Sequence, residues 1–446
     1  MLAEQISNRR IWNIAYPIIL GSIAQNLINV VDTAFLGRMG ETELGAAAIG
    51  GVFYLTVIMF GYGLGLGTQI IVARRAGEAR SESVGIVVEH SLVTLFVLSL
   101  LIFGLIKLVS TAFFSAIIIS PGIQGLTNDY MQIRSYGIFF AFINIGFNAF
   151  FIGTARTSAI TWSTTFMAVV NIILDWLLIF GNMGFPAMGI KGAALASVLA
   201  EISATIFLVI YTALHTNTRR YGLLSFTGFN YHLWIRLIIV SAPVMVQNVI
   251  SLAVWFAFFV FVEKMGETEL AISNIIRSIY VILMIPIWGF SAASNTMVSF
   301  LIGRGQENDV MRLVFRISWL CFLMVMLFVA TSVLIPESIL GIYTDDPVLI
   351  NSSVPVLYVV SGTVICFAFA MVFVSAVSGT GRTQVALLIE ITVIAVYLAA
   401  AYAFSNVFRF SVAVVWTVEF IYAGLIFLLS VIYLRYGKWR ENPLYL

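Results

Sequence analysis

Charge is what this sequence has least of. Only 10% of its 446 residues are Asp, Glu, Lys or Arg, while 61% are hydrophobic; a soluble chain carries about 25% charged residues. That deficit excludes a soluble globular protein. The charges also nearly cancel, 23 basic against 21 acidic, so no basic surface exists for nucleic acid. The two cysteines, Cys321 and Cys366, both lie in apolar runs and read as small core residues rather than a disulfide. The three histidines, His90, His215 and His232, are too scattered for a His-x-x-x-His metal pair. No Gly-x-x-x-x-Gly-Lys-Ser/Thr loop occurs, which excludes ATP hydrolysis through that motif. With no nucleophile–base or metal constellation, neither an enzyme nor a cofactor is expected. The N-terminus has no short apolar run ending in a small-residue cleavage site, so the first hydrophobic segment is expected to be retained.

What the chain does have is long apolar runs. A helix needs about 20 such residues to cross a bilayer. Twelve runs qualify: 11–36, 45–70, 84–109, 128–153, 159–181, 190–214, 234–262, 270–298, 310–335, 353–378, 384–407 and 411–435. They divide six and six, and the halves are related. Met39-Gly-Glu-Thr-Glu-Leu44 returns as Met265-Gly-Glu-Thr-Glu-Leu270, an offset of 226 (265 − 39 = 226). The same ungapped shift carries Pro17 to Pro243, Gly63 to Gly289, Pro121 to Pro347 and Arg156 to Arg382. The expected fold is therefore an all-α integral membrane protein of twelve transmembrane helices in two six-helix repeats. Its parts are an N-lobe over 1–215, a cytoplasmic linker over 216–233 and a C-lobe over 234–446.

An even number of spans gives both halves the same orientation. The pseudo-twofold axis is then expected along the membrane normal, with a cleft between the lobes. Sixteen Lys and Arg fall on one side of this layout and six, Arg134 among them, on the other; Arg277 lies inside a helix. The richer side reads as cytoplasmic, which places both termini there, in a multi-pass protein of the plasma membrane. Gly61, Gly63, Gly65 and Gly67 alternate strictly and fit no nucleotide loop. From Gly63 onward their repeat positions hold Gly289, Ser291 and Ala293, all small, which points to close helix packing.

Ionisable residues inside the spans carry the functional reading. A carboxylate at the bilayer centre costs about 2.5–3.5 kcal/mol on the insertion scale, so it is expected to face protein. Asp32 lies near the outer end of the first span. Behind it runs a stripe of Ser22, Gln25, Asn26 and Asn29, spaced by three and four and expected to look inward as one helical face. Asn171 and Asp175, four residues apart in the fifth span, reach a similar depth. Ser197 in the sixth does the same, and Tyr130 at the start of the fourth is placed to cover the group. Their counterparts at +226 include Phe258, Tyr397 and Ala401, so the second half keeps the scaffold without these polar groups. Two carboxylates in one low-dielectric pocket cannot both carry charge cheaply. Such a pair takes up H+ or Na+, and oxygens of Asp, Asn and Ser suit a hard cation. The expected cation-coupling residues are Asp32, Asn171, Asp175 and Ser197, with Asp32, Asn171 and Asp175 as the Na+ ligands. The bland alternative is a hydrogen-bonded cluster that only pins helices together.

Substrate-facing candidates are weaker. Trp255 and Phe258, with Gln247 on the same helix, read as a cleft wall suited to lipophilic cations. Arg277 and Glu419 fall at similar depth and read either as an ion pair or as a substrate contact. Glu201 and Glu390 read as cleft-lining, and Asn26, Asn29 and Tyr130 complete the set. Pro17 removes a backbone hydrogen bond and is expected to kink the first helix as a hinge.

The run Asp32-Thr-Ala-Phe-Leu-Gly-Arg-Met-Gly-Glu-Thr-Glu-Leu-Gly-Ala-Ala47, closing the first of twelve helices in two halves, resembles the multidrug and toxic compound extrusion (MATE) transporters. The likeness covers essentially the whole chain. It implies export of organic, often lipophilic and cationic compounds by alternating access, driven by inward H+ or Na+. The family's first-helix Asp falls on Asp32, its fifth-helix Asn-x-x-x-Asp on Asn171 and Asp175, and its helix-bending proline on Pro17. This pattern looks most like the DinF-like bacterial branch. Another branch has acids early in helix seven and in helix ten; here helix seven has Gln247, Asn248 and Ser251, and helix ten has none. The expected partners are small-molecule substrates and the bilayer, with a monomeric chain. The alternative is a lipid-linked oligosaccharide flippase of the same superfamily. A sole buried arginine, Arg277, is too little for the basic cavity expected of one. Saturable, gradient-dependent substrate movement would set a transporter apart from a channel or a membrane scaffold.

Overall fold

All twelve apolar runs are helical in the computed structural model, which describes residues 7–223, 225 and 228–440. In chain order the helices are α1 (Asn8–Met39), α2 (Glu41–Gly77), α3 (Glu82–Ile117), α4 (Pro121–Arg134), α5 (Gly137–Gly153), α6 (Ser158–Phe180), α7 (Ile190–His215), α8 (Tyr231–Glu263), α9 (Glu267–Gly303), α10 (Val310–Leu334), α11 (Pro347–Gly379), α12 (Thr383–Tyr402) and α13 (Val418–Tyr436). Among the described residues, eleven helical segments are long and apolar enough to cross a membrane. The remaining span is broken: α4 and α5 meet at a bend of 51° and together make the twelfth. No strand occurs among the described residues. In the stretch read as the 216–233 linker, one helical turn, Thr218–Tyr221, is capped by Asn217, whose side chain accepts from the Arg220 N–H. Leu224, Phe226 and Thr227 of that stretch lie outside the described residues.

The repeated hexapeptide is a helix start. Gly40 (φ 157°, ψ 167°) and Gly266 (φ 152°, ψ 166°) precede α2 and α9 in nearly identical conformations. That region of backbone space is essentially open to glycine alone. The third residue of each helix, Glu43 or Glu269, folds its carboxylate back to where a Cβ on that glycine would stand. Two acids in each first turn also favour the positive end of the helix dipole. The motif is repeated because it builds the same corner twice.

The alternating glycines are contact surfaces, as their spacing predicts. Gly61 and Gly65, one turn apart on α2, face Phe142 and Ile145 of α5. Gly63 and Gly67 face the other way, against Met245 and Ser241 of α8. A Cβ on Gly63 would stand 2.6 Å from Met245 backbone, nearer than any carbon can approach. The repeat partner Gly289 on α9 has its own contact, with Ile19 and Ala15 of α1. Met245 and Ile19 are themselves 226 residues apart (245 − 19 = 226), so the same packing device is used in both halves.

These contacts explain where the chain divides. It forms two compact units, one of residues 20–245 and one of residues up to 19 together with 246 onward. The division runs through α1 and α8, three residues beyond Pro17 and Pro243, rather than through the 216–233 segment. The first turns of α1 pack in the second unit: Trp12 meets Phe290 edge-on at 5.4 Å, and Arg10 lies over Phe300 at 4.5 Å. The equivalent turns of α8 pack on Gly63 and Gly67 in the first. We call the units N and C after the half that supplies most of each.

Candidate functional site

In the N unit, α1 and α6 bring Asp32 and Asp175 together, with Asn171 buried one turn before Asp175. The carboxyl groups of Asp32 and Asp175 lie within hydrogen-bonding reach of each other. As two carboxylates they have no donor between them. Asp32 Oδ1, both oxygens of Asp175, and both Oδ1 and Nδ2 of Asn171 are buried without a hydrogen-bond partner. Leaving a buried polar atom unsatisfied costs about 1–3 kcal/mol, more when it is charged, so five at one spot describe a site short of something. A cation answers the acceptors among them: a proton bridges the carboxylates, or Na+ takes their oxygens with Asn171 Oδ1, while Asn171 Nδ2 is a donor and needs an acceptor. Ser197 is buried on α7, one turn before Glu201.

Beside the pair lies a network that sequence reading did not assemble. Arg134, the last residue of α4, is 9% exposed and forms a bidentate ion pair with Glu201 of α7, at 2.8 and 2.7 Å. Its guanidinium lies 3.7 Å above the Tyr54 ring, and the Tyr54 hydroxyl donates to Glu201 at 3.1 Å. Asn144 and Thr205 hold the backbone carbonyl of Glu201. Gly137, first residue of α5, is the clearance for all this: a Cβ there would collide with Glu201 Oε2 and Arg134 Nη1. The 51° break of the fourth span therefore coincides with the turn that seats Arg134. Tyr130, one turn earlier on α4 and packed against Gly50, reaches Arg134 and lies near Asp32.

Several expectations change. Arg134 is buried in an ion pair, not an outer-side loop cation, and Glu201 is its partner rather than a cleft residue. Arg277 is exposed, with its guanidinium 5.3 Å from the Phe259 ring; it is not a buried arginine and makes no pair with Glu419. Glu419 instead accepts from the Tyr397 hydroxyl at 2.8 Å. Phe258 is fully buried among Trp416, Phe259 and Tyr397, so it walls no cleft. Trp255 is half-buried against Tyr280. In the polar stripe of α1, Gln25 and Asn29 are exposed, and Asn26 is half-buried with its amide on the Ser22 carbonyl. A helical face sets only which side chains are neighbours; it does not fix what covers them. In the C unit, Glu390 is 3% exposed and accepts from Ser251 at 2.9 Å and from Tyr422, with Gln247 in hydrogen-bonding reach. Among the described residues no group of three or more His, Cys, Asp or Glu gathers as a metal site.

Comparison with known proteins agrees with this architecture. A relative from Agrobacterium fabrum, described as a probable multidrug resistance protein NorM, is 25% identical over 304 residues, spanning 66% of this chain and 64% of its own length. A protein of the same description from Thermotoga maritima is 24% identical over 444 residues, 97% of this chain and 93% of its own. A solved structure described as an outward-facing multidrug resistance MATE family transporter of the MOP superfamily superposes with a TM-score of 0.89 at 19% identity, covering 98% of each chain. The MatE family model matches residues 17–177 and again 243–404, so each match opens on one of the two equivalent prolines. With both halves matched over most of their length, this chain belongs to the MatE family, a family of multi-pass membrane transporters.

Proposed function

We propose that the chain is a multidrug efflux antiporter that exports organic cations by alternating access in exchange for H+ or Na+ at Asp32, Asn171 and Asp175. The observation that carries this is the set of five buried polar atoms without partners at one spot in the N unit. Family membership and the naming of the relatives support efflux of drug-like compounds. The membrane is the plasma membrane, with both termini cytoplasmic. Cation entry between Asp32 and Asp175 lets the two carboxylates close on each other; its departure leaves two like charges that repel. That change alters how α1 sits on α6, with Pro17 as the hinge. Drug affinity and cation occupancy are then linked through one equilibrium, each biasing the other by the same factor. Carboxylate and amide oxygens serve either cation, and the buried arginine beside them, Arg134, is neutralised by Glu201, which does not favour a lipid-linked oligosaccharide.

The test is substrate efflux from proteoliposomes under imposed proton and Na+ gradients, applied one at a time. Asp32→Asn and Asp175→Asn are each expected to reduce gradient-driven efflux to the level of protein-free vesicles. Undiminished coupling in both variants would move the site elsewhere.

A further inference from the structure

The C unit gathers arginines where α1 begins, α9 ends and α10 begins. Arg10 of α1 is half-buried, with its guanidinium 4.5 Å from the centre of the Phe300 ring. Arg304, the first residue past α9, sets a second guanidinium over the same ring at 5.9 Å. The two are near enough to repel each other. Arg316 of α10 joins them through α1: its Nε donates to Asn8 Oδ1 at 2.6 Å. Among the described residues none of these three guanidiniums is in an ion pair. Of the acids in the α9–α10 connection, Asp309 faces Arg312 at 3.8 Å and Glu307 pairs with no arginine.

The equivalent corner of the N unit contains an acid. The counterpart of Arg304 is Glu78 (304 − 78 = 226), which pairs with Arg75 at 3.1 Å and Arg80 at 3.6 Å. The register is fixed at this point, because Gly77 and Gly303 close α2 and α9 immediately before the two residues. Arg10 is kept, as Arg236 (236 − 10 = 226). The N unit thus neutralises its corner from within. The C unit has an arginine in place of the acid, and two guanidiniums converge on one ring with no counter-charge from the chain. Like charges held together this way repel unless an anion joins them.

The donors select the anion. A guanidinium fork gives two parallel N–H bonds to the oxygens of a phosphate, and the face of Phe300 steadies the cations beside it. The neighbouring surface says where that phosphate comes from. On α10, Arg312, Arg316, Trp319 and Leu323 follow at spacings of four, three and four, and all are exposed. One helix face therefore runs from arginine through tryptophan to an aliphatic side chain, the order of headgroup, interface and acyl chain in a leaflet. We propose that Arg10 and Arg304, with Arg316 beside them, bind the phosphate of an anionic phospholipid at this end of the C unit. In the orientation proposed above, that is the cytoplasmic leaflet. The site uses none of the coupling residues.

The experiment is native mass spectrometry of the full-length protein in detergent, titrated with phosphatidylglycerol, with phosphatidylcholine and with inorganic phosphate. The first phosphatidylglycerol is expected to bind about tenfold tighter than phosphatidylcholine. Arg304→Glu copies the N-unit corner at an exposed position and is expected to abolish that preference. Arg10→Gln removes one fork without adding charge and is expected to weaken phosphatidylglycerol about fivefold; it carries the test should Arg304→Glu fold poorly. Arg219→Glu reverses an exposed charge of the N unit and should leave the preference intact. Equal binding of the two lipids overturns the proposal. So does an equal loss in Arg219→Glu, which would make the effect one of overall charge. Inorganic phosphate that binds alone and displaces the lipid would make the ligand a soluble anion and overturn the lipid assignment. The readout needs no gradient, so failure of the coupling reading and failure of this site are seen separately.

Discussion

The first and fifth helices of each half pack on each other in both units, but the chemistry along that seam differs. In the N unit α1 and α6 meet at Asp32 and at the Asn171–Asp175 turn. In the C unit the equivalent residues Phe258 and Tyr397 also meet, ring to ring at 6.1 Å, with Ala401 where Asp175 would be. Lower on the seam the roles reverse. Gly21 lies against Thr164 in the N unit, whereas their counterparts Gln247 and Glu390 are in hydrogen-bonding reach in the C unit. Position 164 is eleven residues before 175, about 16 Å along a helix at 1.5 Å per residue. Duplication preserved which residues touch, while the acid moved along the contact. A contact map alone therefore does not say where an ion binds; the residue types at each contact do.

The comparison can be broken most severely at Phe258. Phe258→Asp puts the N-unit acid into the C-unit core, losing a buried ring and adding an uncompensated charge. The expected cost is about 5 kcal/mol or more, read as lost folded protein in thermal unfolding followed by size exclusion. A well-folded variant would mean that the two seams differ by drift and not by packing. Next is Arg134→Gln, which strands Glu201 and is expected to cost about 3–5 kcal/mol. Adding Glu201→Gln should recover much of that, and no recovery would show that the guanidinium matters through its stacking on Tyr54 instead. The smallest effect is expected at Gln25→Ala, on the exposed side of α1. Stability should stay within about 0.5 kcal/mol, and a larger loss in the same assay would place Gln25 inside the seam after all.

The spans and the repeat were legible because each rests on many residues at once: twelve apolar runs, and an offset that works from Pro17 to Thr157. Asp32, Asn171 and Asp175 were legible because acids in apolar runs are few and their depths could be matched by counting from helix ends. Arg134 and Glu201 were not, since 67 residues separate them and no proline announces the break at Arg134. An arginine near the end of an apolar run is equally at home in a headgroup layer. The available signal was that Arg134 falls inside the run 128–153 and should have been matched in depth to Glu201. Phe258 and Arg277 were misplaced for one reason: periodicity gives neighbours on a helix but not the helix that covers them. The division of the units within α1 and α8 was hidden as well, because apolar runs do not reveal which neighbour each turn packs against.

The Arg134–Glu201 pair has a consequence for inheritance. Either residue alone is a stranded charge in an apolar interior, and Gly137 is tied to both because any side chain there collides with them. Single substitutions at these positions are disfavoured one by one, although a chain without the pair is physically sound. Lineages that carry the three should keep or lose them together. A survey of related sequences should find Arg, Gly and Glu at these positions as a set, with few intermediates.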